Sequence, residues 1–460
     1  MPGNGETQVH HGSHRELLDS AAGTSLAPQG IDAIFVPTFR SPAYLTKAAR
    51  LSVALGCPLV TLHSGKWTNA AEAVRRLPPD VDLIALDVPD QALLRLPGWA
   101  TSDLLDGTVF ARRTDLSTKR NMALMLSRLI GWDRILFLDD DITQLDPADM
   151  RRASGLLSEK NAVGLHVTGF PDHSVVCHAY RLAGGEQEPF IGGGAMAVAA
   201  GRSNAFFPDI YNDDWFFLLD EDGGLQPVAV TGKVRQFPYD PFRNEDRARA
   251  EELGDVLAEG LYFLLDQGRS LAGADEEYWA SYITKRRQFI GRVLEMVKKD
   301  RDLHPEDRQR RITALSHGSL YRLDAIKPEL CAAYLRAWAE DRKRWEHHLD
   351  QLPAGLSPAA AIRMLPADGM PALSYRLRRA PKVRCLPPLP RDPAVGPAAE
   401  AVPAPTVLPA PAALTPAATP AGSEAGALEA AGVGRLFGPG TPTGDLISYI
   451  EQWASVHLER

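Results

Sequence analysis

Ile135-Leu-Phe-Leu-Asp139-Asp140-Asp141 is the stretch on which the reading of this chain turns. With Arg134 before it, the apolar run has strand length and the look of a buried strand. It delivers three carboxylates at its end. Side chains alternate along an extended chain, so Asp139 and Asp141 are expected to point the same way. Three unpaired acids repel one another, and a hard cation relieves this. Mg2+ or Mn2+ takes one or two carboxylates together with diphosphate oxygens. A single aspartate would suffice for a turn.

Outward from this stretch the texture is regular. Upstream, Ile31–Val36, Cys57–Leu62 and Val81–Leu86 are short apolar runs bounded by Gly, Pro or polar residues. Helical patterns over Tyr44–Leu55, Asn69–Leu77 and Ser117–Leu129 separate them. Alternation of this kind predicts an α/β fold with crossover units and a mostly parallel central sheet flanked by helices. Ligands on such sheets bind at the carboxyl ends of the strands, which is where the acidic triplet falls. Downstream, Ala162–Val167 and Ser174–Ala179 read as strands, and Val228–Val230 with Val234–Phe237 as a strand pair. Glu245–Gln267, Glu276–Lys299 and Pro328–Leu349 read as helices whose many charges suit solvated faces.

The acidic strand resembles the Asp-x-Asp metal motif of GT-A-fold nucleotide-sugar glycosyltransferases of the family-two-like type. Three further segments are similar to that pattern, over roughly Ile31 to Phe242. The first strand ends in Val36-Pro37-Thr38-Phe39-Arg40, where the resemblance places the nucleotide base and ribose. Asp115-Leu-Ser-Thr-Lys119-Arg120-Asn121 resembles the helix bearing a basic-Asn pair; it implies Lys119 or Arg120 near the diphosphate and Asp115 near base or ribose. Ile191-Gly192-Gly193-Gly194 resembles the Gly-rich segment on the acceptor side, with Gly193 and Gly194 letting backbone approach the sugar. Asn212-Asp213-Asp214-Trp215 resembles the acidic motif that supplies the base of inverting members. Asp214, or else Asp213, would take the acceptor's proton, and Trp215 would stack on a sugar. The resemblance thus implies a GT-A fold and a metal-dependent, inverting transfer from a nucleoside-diphosphate sugar to an acceptor that the residues do not name. Asp139 and Asp141 would hold Mn2+ or Mg2+. Asp140 would face the ribose or cap the turn. No spacing singles out a third ligand among His166, His173, His178, His304 and His317.

Two other readings use the same residues. Asp139-x-Asp141-x-Thr143 after an apolar strand also fits the opening motif of haloacid-dehalogenase-type phosphohydrolases, although that motif usually opens its domain. A scaffold that binds sugar nucleotide without turnover is the other. A sugar-nucleotide pyrophosphorylase would want a Gly-rich basic loop after the first strand, and Pro37–Arg40 has no Gly.

The 460 residues are 45% apolar and 23% charged, enough to bury a large core. The expected organisation is a disordered tail over 1–29, a catalytic domain over 30–243, a helical extension over 244–350, a Pro/Ala-rich linker over 351–443 and an amphipathic helix over 444–460. That helix, with Leu446, Ile450 and Trp453 on one face, could dock on the body or meet a protein partner. The net charge of −8 argues against sequence-independent nucleic-acid binding. Cys57, Cys177, Cys331 and Cys385 form no CxxC pair, which suits reduced thiols in the cytoplasm. Neither a secretory signal nor a membrane-spanning run is expected.

Overall fold

A computed structural model describes residues 27–112, 114–169, 174–185, 191–220 and 223–379, together with the backbone of 19–20. The tail over 1–29 thus falls largely outside the described residues. Most of the Pro/Ala-rich stretch, the terminal helix over 444–460, Phe190 and His173 lie outside them altogether.

Among the described residues, ten strands form one mixed sheet. They are β1 (Asp19–Ser20), β2 (Ala33–Thr38), β3 (Leu59–His63), β4 (Leu83–Asp87), β5 (Arg134–Leu138), β6 (Ile142–Thr143), β7 (Ala162–Gly169), β8 (Ala195–Ala199), β9 (Val228–Gln236) and β10 (Tyr375–Arg378). Nine run in the order β1-β9-β7-β8-β5-β2-β3-β4-β10, and β6 pairs with β9 off this path. The helices are α1 (Thr46–Leu55), α2 (Ala70–Arg76), α3 (Ala100–Leu105), α4 (Leu116–Ile130), α5 (Pro147–Leu156), α6 (Val175–Leu182), α7 (Asp213–Phe217), α8 (Glu245–Asp266), α9 (Glu276–Lys299), α10 (Pro305–Thr313), α11 (Tyr321–Ala325), α12 (Pro328–Asp350) and α13 (Pro358–Arg363).

The β4-β3-β2-β5 block is parallel, as the alternation of elements requires. Beyond β5, β8 runs antiparallel to both β5 and β7, while β7, β9 and β1 are parallel to one another; at the other edge β10 is antiparallel to β4. The sheet is therefore mixed, with β1, β2, β3, β4, β5, β7 and β9 running one way and β6, β8 and β10 the other. Its central strands are apolar on both faces, as strands covered on both sides must be. In β2 and β5, Ala33, Phe35, Ile135 and Phe137 enter one core, and Ile34, Val36, Leu136 and Leu138 the other.

Strand order reverses at β2, whose neighbours are β3 on one side and β5 on the other. A crevice outside the strand ends is expected at such a switch point. Pro37 helps to open it. The N–H of Ile34 donates to the Pro58 carbonyl on the β3 side, so odd positions of β2 address β5. Pairing with β5 stops at Phe35, whereas pairing with β3 continues to Thr38. Proline has no N–H to give, and it stands where β5 no longer needs one.

Several expectations are corrected. Ser174–Ala179 is not a strand: Ser174 Oγ accepts the Cys177 N–H at 3.3 Å and starts α6. Two adjacent valines favour a strand locally, but here they are buried in the core on one face of a helix. The expected strand pair over 228–237 is one strand, β9, that runs through Gly232 at φ +64°. Residues 351–379 are not an open linker. Leu356 N–H donates to the Leu129 carbonyl, α13 packs on α4, and β10 adds to the sheet edge.

The helices after residue 244 share the principal core with the sheet. Residues 251–265 of α8 are buried on every face, so the charges within that stretch are not a solvated surface. Arg286 of α9 is fully buried among three of them: Nε meets Glu252 at 2.9 Å, Nη1 meets Glu259 at 2.6 Å, and Nη2 meets Asp255 at 2.6 Å. Burial pushes Asp255 well above the usual carboxylate range and Glu252 upward. It pulls on Arg286 the other way, and the three carboxylates outweigh it. Cys57, Cys177 and Cys331 are buried. Among the described residues no helix is long and apolar enough to cross a membrane.

Candidate functional site

The crevice at the β2/β5 switch point holds most of the residues picked out by the sequence. A cavity of about 550 Å³ is lined by Pro37, Thr38, Arg40, Asp115, Lys119, Asp139, Asp140 and Asp141, with Ser64 and Gln236. A second, of about 100 Å³, is lined by Arg120, Asp139, Gly194, Asp213 and Asp214. Asp139, Arg112, Thr114, Leu116 and Gln236 border both, so the two spaces adjoin at Asp139.

The three aspartates have separate surroundings. Asp140 is turned inward: Thr38 Oγ1 donates to its Oδ2 at 2.6 Å, and Arg40 Nη1 pairs with its other oxygen. It thereby ties the end of β2 to the turn after β5. Asp141 lies 3.3 Å from Arg40 Nη1 and accepts from Gln236 Nε2 at 3.4 Å. Asp139 is the most open of the three, its side chain 28% exposed, with Arg120 Nη2 at 3.7 Å. Burial pulls the Arg40 pKa down, but Asp140 and Asp141 more than offset this and leave it raised.

Lys119 is buried beneath the larger cavity. Its Nζ donates to the Thr38 carbonyl at 3.0 Å and to Ser64 Oγ at 2.6 Å, and pairs with Asp115 at 2.9 Å. Burial lowers its pKa, against the pull of Asp115. Arg120, one residue on, faces the smaller cavity and pairs with Asp213 at 2.7 Å, with its guanidinium over the Phe207 ring. Asn121 clamps the Phe207 backbone with both ends of its amide, at 2.8 and 2.9 Å. The basic-Asn pair thus has one member in the site and one holding the wall.

Gly193 and Gly194 owe their identity to these charges. A Cβ on Gly193 would stand 2.6 Å from Arg120 Nη2, and one on Gly194 would stand 3.1 Å from Asp139 Oδ2. The Gly193 N–H donates to Asp214 Oδ2 at 2.6 Å, which fixes that carboxylate at the cavity edge. Burial, then the neighbouring Asp213, raise the Asp214 pKa to about 6. Asp213 is raised as well, by burial, although Arg120 and Ser117 act against it.

The turn before these two acids is unusual. Asn212 has φ +63°, a left-handed conformation that Asn tolerates better than most residues. It stands at the N-cap position of α7 but its side chain caps nothing there; Nδ2 donates instead to Asp255 Oδ1 at 3.0 Å. Gly254 lets α8 come against the Tyr211 backbone, where a Cβ would collide.

Trp215 departs from expectation. It is 5% exposed, tilted against Tyr262 with ring centroids 4.8 Å apart, and borders neither cavity. It is a core residue, and a sugar cannot stack on it. None of His166, His178, His304 and His317 lines either cavity; His178 is spent on the Tyr239 hydroxyl at 2.8 Å. Thr143 Oγ1 donates to the Arg235 carbonyl. Among the described residues, no group of three or more His, Cys, Asp or Glu is arranged to hold a metal ion.

Gln236 and Arg112 line the site without having been singled out in the sequence. Gln236 ends a strand some hundred residues after the acidic triplet and carries no local signal. The Arg112-Arg113 doublet just before α4 was the available hint for Arg112.

Comparison with protein-family models and with curated proteins finds no match. Among solved structures, the crystal structure of A197 from STIV aligns with 46% of this chain and 92% of that chain, at 13% identity and a TM-score of 0.25. Likeness at that level carries no argument about fold or activity. What stands is an α/β chain with a mixed sheet flanked by helices, and a charged double cavity at its switch point.

Proposed function

We propose that this chain is a GT-A-type glycosyltransferase that moves a sugar, with inversion, from a nucleoside-diphosphate sugar to an acceptor hydroxyl, aided by Mn2+ or Mg2+. The observation that carries this reading is the pair of cavities meeting at Asp139. The larger has room for a nucleotide and is edged by carboxylates and cations; the smaller has a buried carboxyl, Asp214, held near 6.

The donor set suits a cation that arrives with its substrate. Asp139 and Asp141 border the larger cavity, while Asp140 is committed to Thr38 and Arg40. Two carboxylates with phosphate oxygens and water are what Mg2+ commonly takes. When bound, the metal would neutralise charge on the departing diphosphate. The chain's residues do the rest. Asp214, in its carboxylate form, accepts the acceptor's proton as that oxygen bonds to the anomeric carbon and the bond to the diphosphate breaks. A pKa near 6 is suited to a base at neutral pH. Gly193 N–H orients Asp214, and the Arg120–Asp213 pair keeps a fixed cation beside it.

The test is a thermal-shift screen of UDP-, GDP- and dTDP-sugars with and without Mn2+, followed by product analysis on any hit. Ligand binding raises the melting temperature by mass action. The expected result is a metal-dependent shift with one nucleotide, lost in Asp139→Ala and Asp141→Ala. Phosphate release from simple phosphomonoesters with no use of sugar nucleotides would favour a phosphohydrolase. Metal-dependent binding with no transfer to any acceptor would favour a scaffold.

A further inference from the structure

The chain carries a net charge of −8, yet the run from Ala33 to Ala71 has no Asp or Glu and holds Arg40, Lys47, Arg50 and Lys66. The fold brings this run to one surface. Helices α1, α2 and α5 send apolar side chains into the same core, so they form one layer over one face of the sheet. The 3-10 turn Pro42–Leu45 leads into α1 and packs on α2. Tyr44, Lys47, Arg50 and Ala54 follow at helical spacing and are exposed, with Val53 beside them. After β3, Lys66 and Trp67 are exposed, and Trp67, at 66%, is the most exposed large hydrophobic among the described residues. Phe39, after β2, is exposed too. The two loops adjoin: a Cβ on Gly65 would stand 4.0 Å from Phe39 Cβ.

The neighbouring helices do not cancel this charge. Lys47, Arg50 and Lys66 form no ion pair among the described residues. Glu72 of α2 is taken by both Arg75 and Arg76, which leaves that helix positive. On α5, Arg152 takes Asp149, Asp146 accepts the Ala148 N–H, and Arg151 reaches across to the Ala54 carbonyl at 2.8 Å. Three aromatic rings and a valine thus stand in water within a basic surface. That combination fits an anionic bilayer. Trp and Tyr rings rest at headgroup level, and Lys and Arg stems run along apolar surface toward the charges of the lipid. Attraction to such a surface acts within about a Debye length, so acids elsewhere on the chain do not oppose it.

Single-stranded nucleic acid also takes rings and cations. Here a cation already lies over each ring: Arg40 is 5.2 Å from the Phe39 ring centre and 5.5 Å from that of Tyr44, and Lys66 is 4.8 Å from that of Trp67. A stacking base would have to displace it or use the other face, and Val53 and Ala54 offer a base nothing. We propose that the outer face of α1, with the loops after β2 and β3, docks on an anionic lipid surface. Tyr44 and Trp67 enter the headgroup region, and Lys47, Arg50 and Lys66 meet the lipid charges. Phe39 and Gly65 also line the larger cavity, so docking holds that cavity beside the bilayer. No part of this depends on the transferase reading.

The test is co-sedimentation of the full chain with vesicles of phosphatidylcholine, alone or with one third phosphatidylserine. Wild type is expected to bind the anionic vesicles, to ignore the neutral ones, and to release as salt rises. Lys47→Glu, Arg50→Glu and Lys66→Glu together should weaken binding by about 100-fold or more. Tyr44→Ala with Trp67→Ala keeps the charge and should weaken it by about tenfold. Brominated acyl chains should quench wild-type tryptophan emission, and less so in Trp67→Phe. The replaced side chains are exposed; should the triple variant still fail to fold, the quenching comparison decides. No binding to anionic vesicles, affinity unchanged by charge reversal, or quenching unchanged in Trp67→Phe would overturn the proposal. So would quenching lost instead in Trp453→Phe, which would place the contact in the terminal segment. Binding of single-stranded nucleic acid, lost on charge reversal, with no vesicle binding would give the surface to nucleic acid. Each of these failures leaves the transferase reading standing, since none of the replaced residues belongs to the double cavity.

Discussion

Asn212 Nδ2 donates to Asp255 Oδ1 at 3.0 Å, and so ties the turn bearing Asp213 and Asp214 to a helix that lies outside the first two hundred residues. Asp255 is itself held by Arg286 Nη2 at 2.6 Å. The helical extension is therefore part of the site's support. A buried guanidinium with three carboxylates fixes α8 against α9, α8 fixes Asn212, and Asn212 sets the entry to α7.

Arg286→Met should therefore destabilise the chain by about 3–5 kcal/mol, the cost of leaving buried carboxylates without their partner. The loss should depend on pH. Carboxyls whose pKa is raised in the folded state bind more protons there than in the unfolded chain, so stability falls as pH rises above the unfolded value. Without Arg286 that upward shift grows, and the defect should be smaller at pH 5 than at pH 8. Urea unfolding at both values checks this; an equal defect at the two would mean that the carboxyls are not the groups responsible.

Asp214 offers a second pH test. Its pKa of about 6 predicts a transfer rate that rises through pH 6 and levels above it, as the base becomes carboxylate. Asp214→Asn should remove most of the rate, by about 100-fold or more, with no pH-dependent limb near 6. The same shift costs stability. Between the unfolded value near 4 and about 6 the folded state holds the extra proton, so stability falls across that window by an amount on the order of 3 kcal/mol. Asp214→Asn should flatten that slope in chemical unfolding.

The cross-strand bond at the switch point gives a third. Thr38→Val removes the hydroxyl that donates to Asp140 Oδ2 at 2.6 Å. One oxygen of a buried carboxylate then loses its donor, which should cost about 1–3 kcal/mol. Thr38→Ser keeps the hydroxyl and should recover most of this. Unfolding free energies of the two variants decide it; a Thr38→Val variant as stable as wild type beside a destabilised Thr38→Ser would show that the methyl, rather than the hydroxyl, matters.

Much of this architecture is legible in single segments. Ile135–Leu138 is apolar on both faces because the strand is covered on both, and its acids fall at a strand end because the apolar run stops there. What was not legible depends on partners remote in sequence. Val175 and Val176 look like strand residues until the core on one side of α6 is seen. The acids of α8 look solvated because nothing near them in sequence reveals Arg286, about thirty residues on. Trp215 reads as a platform for a sugar, and only the packing of Tyr262 against it shows otherwise. Residues 357–378 belong to the folded body because their partners, Leu83–Leu86 and α4, lie more than two hundred residues earlier. Composition also misleads there, since a Pro- and Ala-rich stretch can begin with a helix and an edge strand.

Gly193 separates site geometry from stability. A methyl at that position would stand 2.6 Å from Arg120 Nη2, and the arginine is the flexible partner, so its guanidinium should give way rather than the backbone. Arg120 would then leave Asp213, its partner at 2.7 Å, and move relative to Asp139. Gly193→Ala is expected to destabilise the fold by only about 1–3 kcal/mol, the usual range for overpacking. Transfer should fall by about tenfold or more, because a misplaced cation no longer stabilises charge where it develops. The loss should appear in kcat more than in KM, since Gly193 borders the acid pair rather than the larger cavity. A variant in which KM rises and kcat holds would instead place the glycine's importance in substrate binding, and would remove the argument that it exists to admit Arg120.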